Sequence, residues 1–320
     1  MILTGAIIND AQGDEPGAAG FSHASWVCDA HLPASPRVAL HSPFPNLQTR
    51  FWPNGRIPYE FEEDITADEQ SAMLDAMRVW EDAIGVNFAP RGGDEGYVTI
   101  TAHPESNTGD YEGAGYYGAR SHRLRVGKTA WTRGLLLHEL GHALGFWHTQ
   151  SRRDRTGFVR IESANILEGR ADQFDRVEDS LPYGEYDFAS IMHYRACQLS
   201  TCGGSSCIPT DANCRTITVL PPYDKEWQSK IGRSAELSEM DKLTMSFIYA
   251  PTSWIFLNQN SPNFPGRGTF FDAFRLFVDA ESFVPENGVL ICQPGTYAAG
   301  EFHRQAMTIK APLGGVTLTK

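Results

Sequence analysis

Apolar and polar positions along the chain change their rhythm several times, and each rhythm predicts an element. Ala72, Met73, Ala76, Met77 and Trp80 recur at steps of three and four, the spacing of one helix face. Thr66 stands before that run as an N-cap, with Glu69 three positions on to close a capping box. Arg56 to Phe61, Val86 to Phe88, Tyr97 to Thr101 and Leu124 to Val126 are short runs rich in strand formers, bounded by turn residues. Gly109 to Gly118 reads as a Gly-rich connector between strands. A second helix is expected from near Thr132, where Leu135, Leu136, Leu137, Ala143 and Leu144 supply a buried stripe. After His148 the chain reads as loop and turn until a last helix from Ser238 to Tyr249.

The two ends lack this order. Residues 1 to 49 are rich in Gly, Pro, Ala and Ser without periodicity, as in Gly17-Ala18-Ala19-Gly20, and read as a loosely ordered leader. Residues 251 to 320 carry short apolar runs, such as Val289 to Cys292 and Leu313 to Leu318, punctuated by Gly and Pro. They predict short strands and turns, with some likeness to the opening coils of a parallel β-helix. Three parts follow: a leader (1–49), an α+β domain with mixed sheet and long helices first and an irregular half second (50–250), and a small β-rich region (251–320).

Within the second helix stands His138-Glu139-Leu140-Gly141-His142, followed by Gly145 and His148. Residues four apart share a helix face about 6 Å apart, so His138 and His142 reach one metal ion. Gly145 lacks a Cβ and takes the left-handed conformation that turns the chain back, bringing His148 to the same ion. Three imidazoles with a fourth position left for water describe a catalytic rather than a structural zinc site. Glu139, rotated about 100° from His138, falls beside that water as a general base. An isolated His-Glu-x-x-His arises by accident on ordinary helices; with Gly145 and His148 at fixed offsets it becomes specific.

Ser190-Ile191-Met192-His193-Tyr194, some forty residues on, has the form of the methionine turn beneath the zinc of metzincins. With these two motifs the chain resembles the astacin family of zinc endopeptidases. Arg56 to Phe61 looks like the family's first strand and Tyr97 to Thr101 like the strand before the substrate-binding edge. Arg152, Asp154, Arg155, Gly184 to Asp187, Ile231-Gly232 and Leu237-Ser238-x-x-Asp241 fit its later segments, so the resemblance covers residues 50 to 250. It implies a metzincin-type zincin fold, one catalytic Zn2+ on His138, His142 and His148, and Glu139 as general base. It also implies that Tyr194 is a fifth ligand that moves out to stabilise the oxyanion, a role suited to a phenol donor. Met192 would support the ligands from below. His193 reads as a packed, hydrogen-bonded residue, and His23, His31, His41, His103, His122 and His303 show no ligand spacing.

Three departures qualify the resemblance. Thr149 stands where the family has a Glu that anchors the mature N-terminus, and a hydroxyl cannot pair with an ammonium. Gly85 and Ala130 stand where cysteines of the family's core disulfides are expected. Residues 1 to 49 occupy the place of a propeptide, which in the family puts an Asp on the zinc. Gly13-Asp14 has that form and Cys28-Asp29 offers a thiolate instead, although each is also an ordinary turn residue. On this zymogen reading, removing residues 1 to 43 raises activity.

The formal charge of −12 over 320 residues argues against a nucleic-acid partner. No apolar run approaches the twenty residues of a membrane span, and Met1 to Asp10 lacks the basic leader of a secretion signal. Cys197, Cys202, Cys207 and Cys214 crowd one loop at spacings unlike those of structural zinc sites, so they are expected to form disulfides, in a pairing the spacing leaves open. Cys28 and Cys292 remain as a further pair. Disulfides imply an oxidising compartment, hence a secreted enzyme, expected as a monomer acting on proteins or peptides. Arg195 either meets acidic side chains near the cut or is simply solvated. Two other functions share the motif: a silent zinc domain that binds protein or glycan, which the intact Glu139 disfavours, and a zinc amidohydrolase on a non-protein amide, which the methionine turn disfavours.

Overall fold

The computed structural model describes residues 50–320 apart from 105–106, 179, 184–185, 204–205, 263, 300–305 and 320, together with short strands at Ile7–Ile8, Trp26–Cys28 and Ser42–Pro45. The chain forms two compact units, one of residues 40–249 and one of 250–320 with 1–39.

In the larger unit, strands β1 (Arg56–Phe61), β2 (Asn87–Pro90), β3 (Tyr97–Ala102), β4 (Gly109–Tyr111) and β5 (Ser121–Val126) form one sheet in the order β2-β1-β3-β5-β4. All neighbours are parallel except β4, which runs antiparallel to β5 at the edge. β2 begins one residue later than its apolar run suggests, and β4 lies inside the stretch expected to be a connector. Its sequence, Gly-Asp-Tyr, has no alternation to betray it; the ladder to β5 makes it a strand.

Helix α1 (Ala67–Ile84) starts at the Thr66–Glu69 capping box and ends at Gly85 in the left-handed conformation. That conformation accounts for a glycine at 85 without reference to any cysteine. Met73, Ala76, Met77, Trp80 and Ile84 of α1 are buried against the sheet and against α2 (Arg133–Leu144), in a core with Ile57, Val98, Ile100, Leu124, Leu137 and Leu140. Three polar clips fix α2 within it. Trp80 Nε1 donates to Leu137 O (3.1 Å), Trp52 Nε1 to Ala143 O (2.8 Å) and Tyr249 Oη to Leu144 O (2.8 Å). Helix α3 (Glu239–Ile248) opens on a second capping box, Ser238 with Asp241.

From Phe146 onward the unit is mostly loop and 3-10 turns around a smaller apolar cluster, including Val159, Phe174, Tyr186, Phe188, Ile217 and Ile231. A short antiparallel ladder joins Val159–Ile161 to Ile217–Val219. The cysteine loop is closed by Cys197–Cys207 and Cys202–Cys214, an interleaved pairing.

In the smaller unit, Trp254–Leu257, Gly288–Cys292 and Met307–Lys310 pair in parallel, as do Gly295–Ala298 and Val316–Thr319. These ladders lie over a core with Leu257, Phe274, Leu290 and Leu318, and each sheet carries one antiparallel edge strand, Ile7–Ile8 beside Met307–Lys310 and Trp26–Cys28 beside Val316–Thr319. The helix at Phe277–Phe283 differs from the expected run of strands and turns; at seven residues it is too short to display a period and is held by burying Phe277 and Ala280. The side chains of Asp14 and Cys28 lie outside the described residues, and with them the latency readings and the Cys28–Cys292 pair; Cys292 is buried.

Candidate metal centre

Helix α2 carries His138 and His142 one turn apart on one face. It stops at Gly145, whose φ of 118° is left-handed, and a Cβ there would press on the Phe51 ring at 2.8 Å. The amide of Phe146 donates to Gly141 O (2.9 Å), so the chain folds back over the helix end. His148 thereby reaches both helix ligands: its Nε2 lies 3.1 Å from His138 Nε2 and 3.0 Å from His142 Nε2.

Whether these residues suit a metal is decided by their other nitrogens. His138 Nδ1 donates to Ile191 O and His142 Nδ1 to Phe146 O, both at 2.7 Å. With those protons committed, the Nε2 atoms turned inward carry lone pairs, and desolvation lowers the pKa of all three rings, that of His142 to about 3. Neutral lone pairs crowded at 3 Å repel one another unless a cation lies among them. Tetrahedral Zn–N bonds of about 2.05 Å place ligand nitrogens about 3.3 Å apart, close to the spacing here. His138, His142 and His148 are positioned to bind one zinc ion.

Glu139 follows His138 on α2, and its charge is felt by Tyr194, whose ring lies against His148. Glu139 is buried, its Oε2 has no hydrogen-bond partner among the described residues, and burial, then the charge of Asp110 on β4, pushes its pKa up to about 8. A dication in the histidine cluster opposes that rise. β4 passes so close that a Cβ on Gly109 would lie 3.1 Å from Glu139 Oε1, a reason for glycine at that edge position.

The methionine turn lies under α2. Met192 is fully buried, and its sulfur fills the place a Cβ on Gly141 would need, so the glycine inside the zinc motif and the methionine fifty residues away are two halves of one contact. The sequence motif gives no sign of this pairing. The turn is anchored by Asp241 of α3, whose carboxylate accepts from Ser190 Oγ (2.7 Å), Ile191 N (2.9 Å) and Ser238 N (3.0 Å). Ile191 thus links Asp241 on its amide side to His138 on its carbonyl side, a connection that no spacing rule reveals.

Tyr194 follows the turn with its ring against His148, centroids 4.2 Å apart, and against Phe174 at 5.6 Å. Burial, then the charge of Glu139, raises its phenol pKa, so it stays a donor. His193 is buried and uses both nitrogens, Nδ1 with Tyr194 O (2.7 Å) and Nε2 with Tyr186 Oη (2.8 Å). Thr149 is fully buried, and its hydroxyl has no partner among the described residues. Beyond Tyr194, a cavity of about 320 Å³ is lined by Arg195, Arg233, Ile231, Pro209 and the Cys197–Cys207 bridge.

A mononuclear three-histidine site with a buried carboxylate beside it, at the edge of a mixed sheet, defines a zincin-type metallopeptidase fold. The family model of the astacin peptidases matches residues 45–250, and the chain belongs to that family. It is 32% identical over 222 residues to the zinc metalloproteinase nas-14 of Caenorhabditis elegans, covering 67% of this chain and 40% of that protein. It is 31% identical over 254 residues to bone morphogenetic protein 1 of Xenopus laevis, covering 76% of this chain and 33% of that one. The chain therefore spans well under half the length of these relatives. Among solved structures, high choriolytic enzyme 1, a hatching enzyme zinc-protease from the medaka Oryzias latipes, matches with a TM-score of 0.53 at 26% identity, over 63% of this chain and 95% of that one.

Proposed function

We propose that this chain is a zinc-dependent endopeptidase that hydrolyses peptide bonds in protein substrates. The observation that carries the reading is the buried, unpartnered Oε2 of Glu139 beside the three converging imidazoles. When bound, zinc lowers the pKa of a water and polarises the carbonyl to be attacked. Glu139 takes the proton of the attacking water and delivers it to the leaving amine. The phenol of Tyr194 donates to the oxyanion as it develops. Ile191 O and Phe146 O keep His138 and His142 in the tautomer that presents Nε2. Among the described residues β4 is bonded on one side only, so its other edge offers backbone groups to an extended peptide.

The two disulfides support an extracellular enzyme, and we take it to act as a monomer. Residues ahead of the catalytic unit would hold it latent, with Asp14 or Cys28 as the blocking group.

The test is cleavage of an unfolded protein by the full chain beside its Glu139→Gln variant, with zinc assayed in both. The expected result is one zinc in each and a loss of about 10³-fold in kcat for the variant. Equal activity would remove Glu139 from its role. Zinc binding without proteolysis in either protein would favour a silent binding domain, and activity confined to small non-peptide amides would favour an amidohydrolase.

A further inference from the structure

The backbone of Tyr194 is held on both sides by side chains that the reaction itself does not use. Its amide donates to Gln150 Oε1 at 3.0 Å, and its carbonyl accepts from His193 Nδ1 at 2.7 Å. Gln150 is fully buried two residues after the ligand His148, and its Nε2 has no partner among the described residues, so the side chain's one bond is the one to Tyr194. His193 is oriented in turn by the Tyr186 hydroxyl, which donates to Nε2 at 2.8 Å and leaves the proton on Nδ1. Tyr186 is fixed by stacking on Phe158, centroids 4.9 Å apart, and by contact with Phe188 at 5.0 Å. From a third direction Gly232 closes on the Tyr194–Arg195 peptide, where any Cβ would overlap it.

We propose that Gln150 and the Tyr186–His193 pair are positioning residues that pin the Tyr194 backbone, so that its phenol is delivered to one place beside the metal. The proposal rests on the reading of Tyr194 as oxyanion donor. The geometry explains why such a clamp matters. The hydroxyl sits at the far end of a long lever, and a tilt of roughly 10° at the Cα displaces it by about 1 Å, a shift that costs on the order of 100-fold in rate. A hydrogen bond at each end of one residue suppresses that tilt while leaving the side-chain torsions free.

A double-mutant cycle in the full-length zinc enzyme separates positioning from general support. Gln150→Met keeps length and removes the acceptor; Tyr186→Phe removes one hydroxyl and keeps the stacked ring. Each is expected to lower kcat about 10-fold with KM and zinc content unchanged, and to speed hydrogen exchange at the Tyr194 amide or its neighbours. In a Tyr194→Phe background the same substitutions should change kcat less than about twofold, because the group they position is gone. Gln150→Glu, which keeps an acceptor at the same place, should restore most of the loss. Equal losses in both backgrounds, or losses that follow zinc release or a raised KM, would overturn the clamp. Should Gln150→Met fail to fold, Tyr186→Phe decides alone. A Tyr194→Phe enzyme as fast as the wild type would instead bring down the oxyanion reading and the clamp with it, an outcome distinct from additivity.

Discussion

The two halves of the larger unit are built on different physics. In the first half, from Arg56 to Leu144, the interior is apolar side chains at regular spacing, and polar groups inside it are few: Thr99, His122, Glu139 and His142. In the second half, from Phe146 to Tyr249, buried Thr149, Gln150, Arg152, Asp187, Ser190, His193, Thr216, Gln228 and Asp241 do what periodicity does in the first. Arg152 is fully buried and forks onto Asp154 at 2.8 and 2.7 Å. Gln228 spans one strand, accepting from Val219 N (2.8 Å) and donating to Ile217 O (3.0 Å). An apolar contact tolerates any neighbour of similar volume, whereas a buried hydrogen bond tolerates only its partner. The metal site lies where the two styles meet: His138 and His142 come from the regular half and His148 from the irregular one.

The largest expected effect tests that contrast directly. Asp241→Leu is nearly isosteric, yet it leaves Ser190 Oγ, Ile191 N and Ser238 N without their acceptor. At about 1–3 kcal/mol for each stranded donor, the loss should exceed roughly 3 kcal/mol. Met77→Leu, equally buried on α1, should cost less than about 1.5 kcal/mol. Chemical denaturation of both variants beside the wild type measures the difference, and similar losses would dissolve the distinction. The Asp241 variant should also bind zinc more weakly, since Ile191 carries the strain to His138.

The same contrast governs which features are legible in the amino-acid sequence. Helix α1 is legible to the residue at its start, because the capping box and a three-four period are local signals. Strands β1 and β3 are legible from local signals too, whereas β5 is legible only in its last three residues, its first half, Ser121 to Arg123, being polar. The zinc ligands are legible because a helix turn and a glycine reversal fix their relative positions within eleven residues. By contrast, β4 has three residues and no alternation, and its identity depends on β5. Gly141 and Met192, or Asp241 and the turn, meet through tertiary contact at separations of some fifty residues, where no spacing rule operates. The crossing of the two disulfides is closed to sequence inspection for the same reason: four cysteines allow three pairings.

A smaller effect, and a finer probe of the second half, comes from pH. Asp187 and Asp241 are buried together with Ser238 between them, Ser238 Oγ donating to Asp187 at 2.7 Å while its amide donates to Asp241. Burial, then the negative charge of Asp241, lifts the Asp187 pKa to about 7; the groups facing its carboxylate are Asp241, the Ser238 hydroxyl and the amides of Ala189 and Ser190. Asp241 is itself raised by burial. A carboxyl whose folded pKa lies above its unfolded value binds its proton more tightly when folded. Its contribution to stability is therefore complete below about pH 4 and is lost as pH rises through about 7. With zinc in excess and pH held above 5, so that the ligands stay loaded, unfolding free energy should fall between pH 5 and 8. Asp187→Asn, which cannot ionise, should flatten that part of the profile. Titration keeps every heavy atom in place, so the change should be smaller than for Asp241→Leu, and a variant confined to α1 or the sheet, which keeps Asp187, should retain it in full. A profile that rises over this range, or one that Asp187→Asn leaves unaltered, would show that the carboxylate pair is held ionised by contacts other than these, and that the polar interior of the second half is less strained than its burial implies.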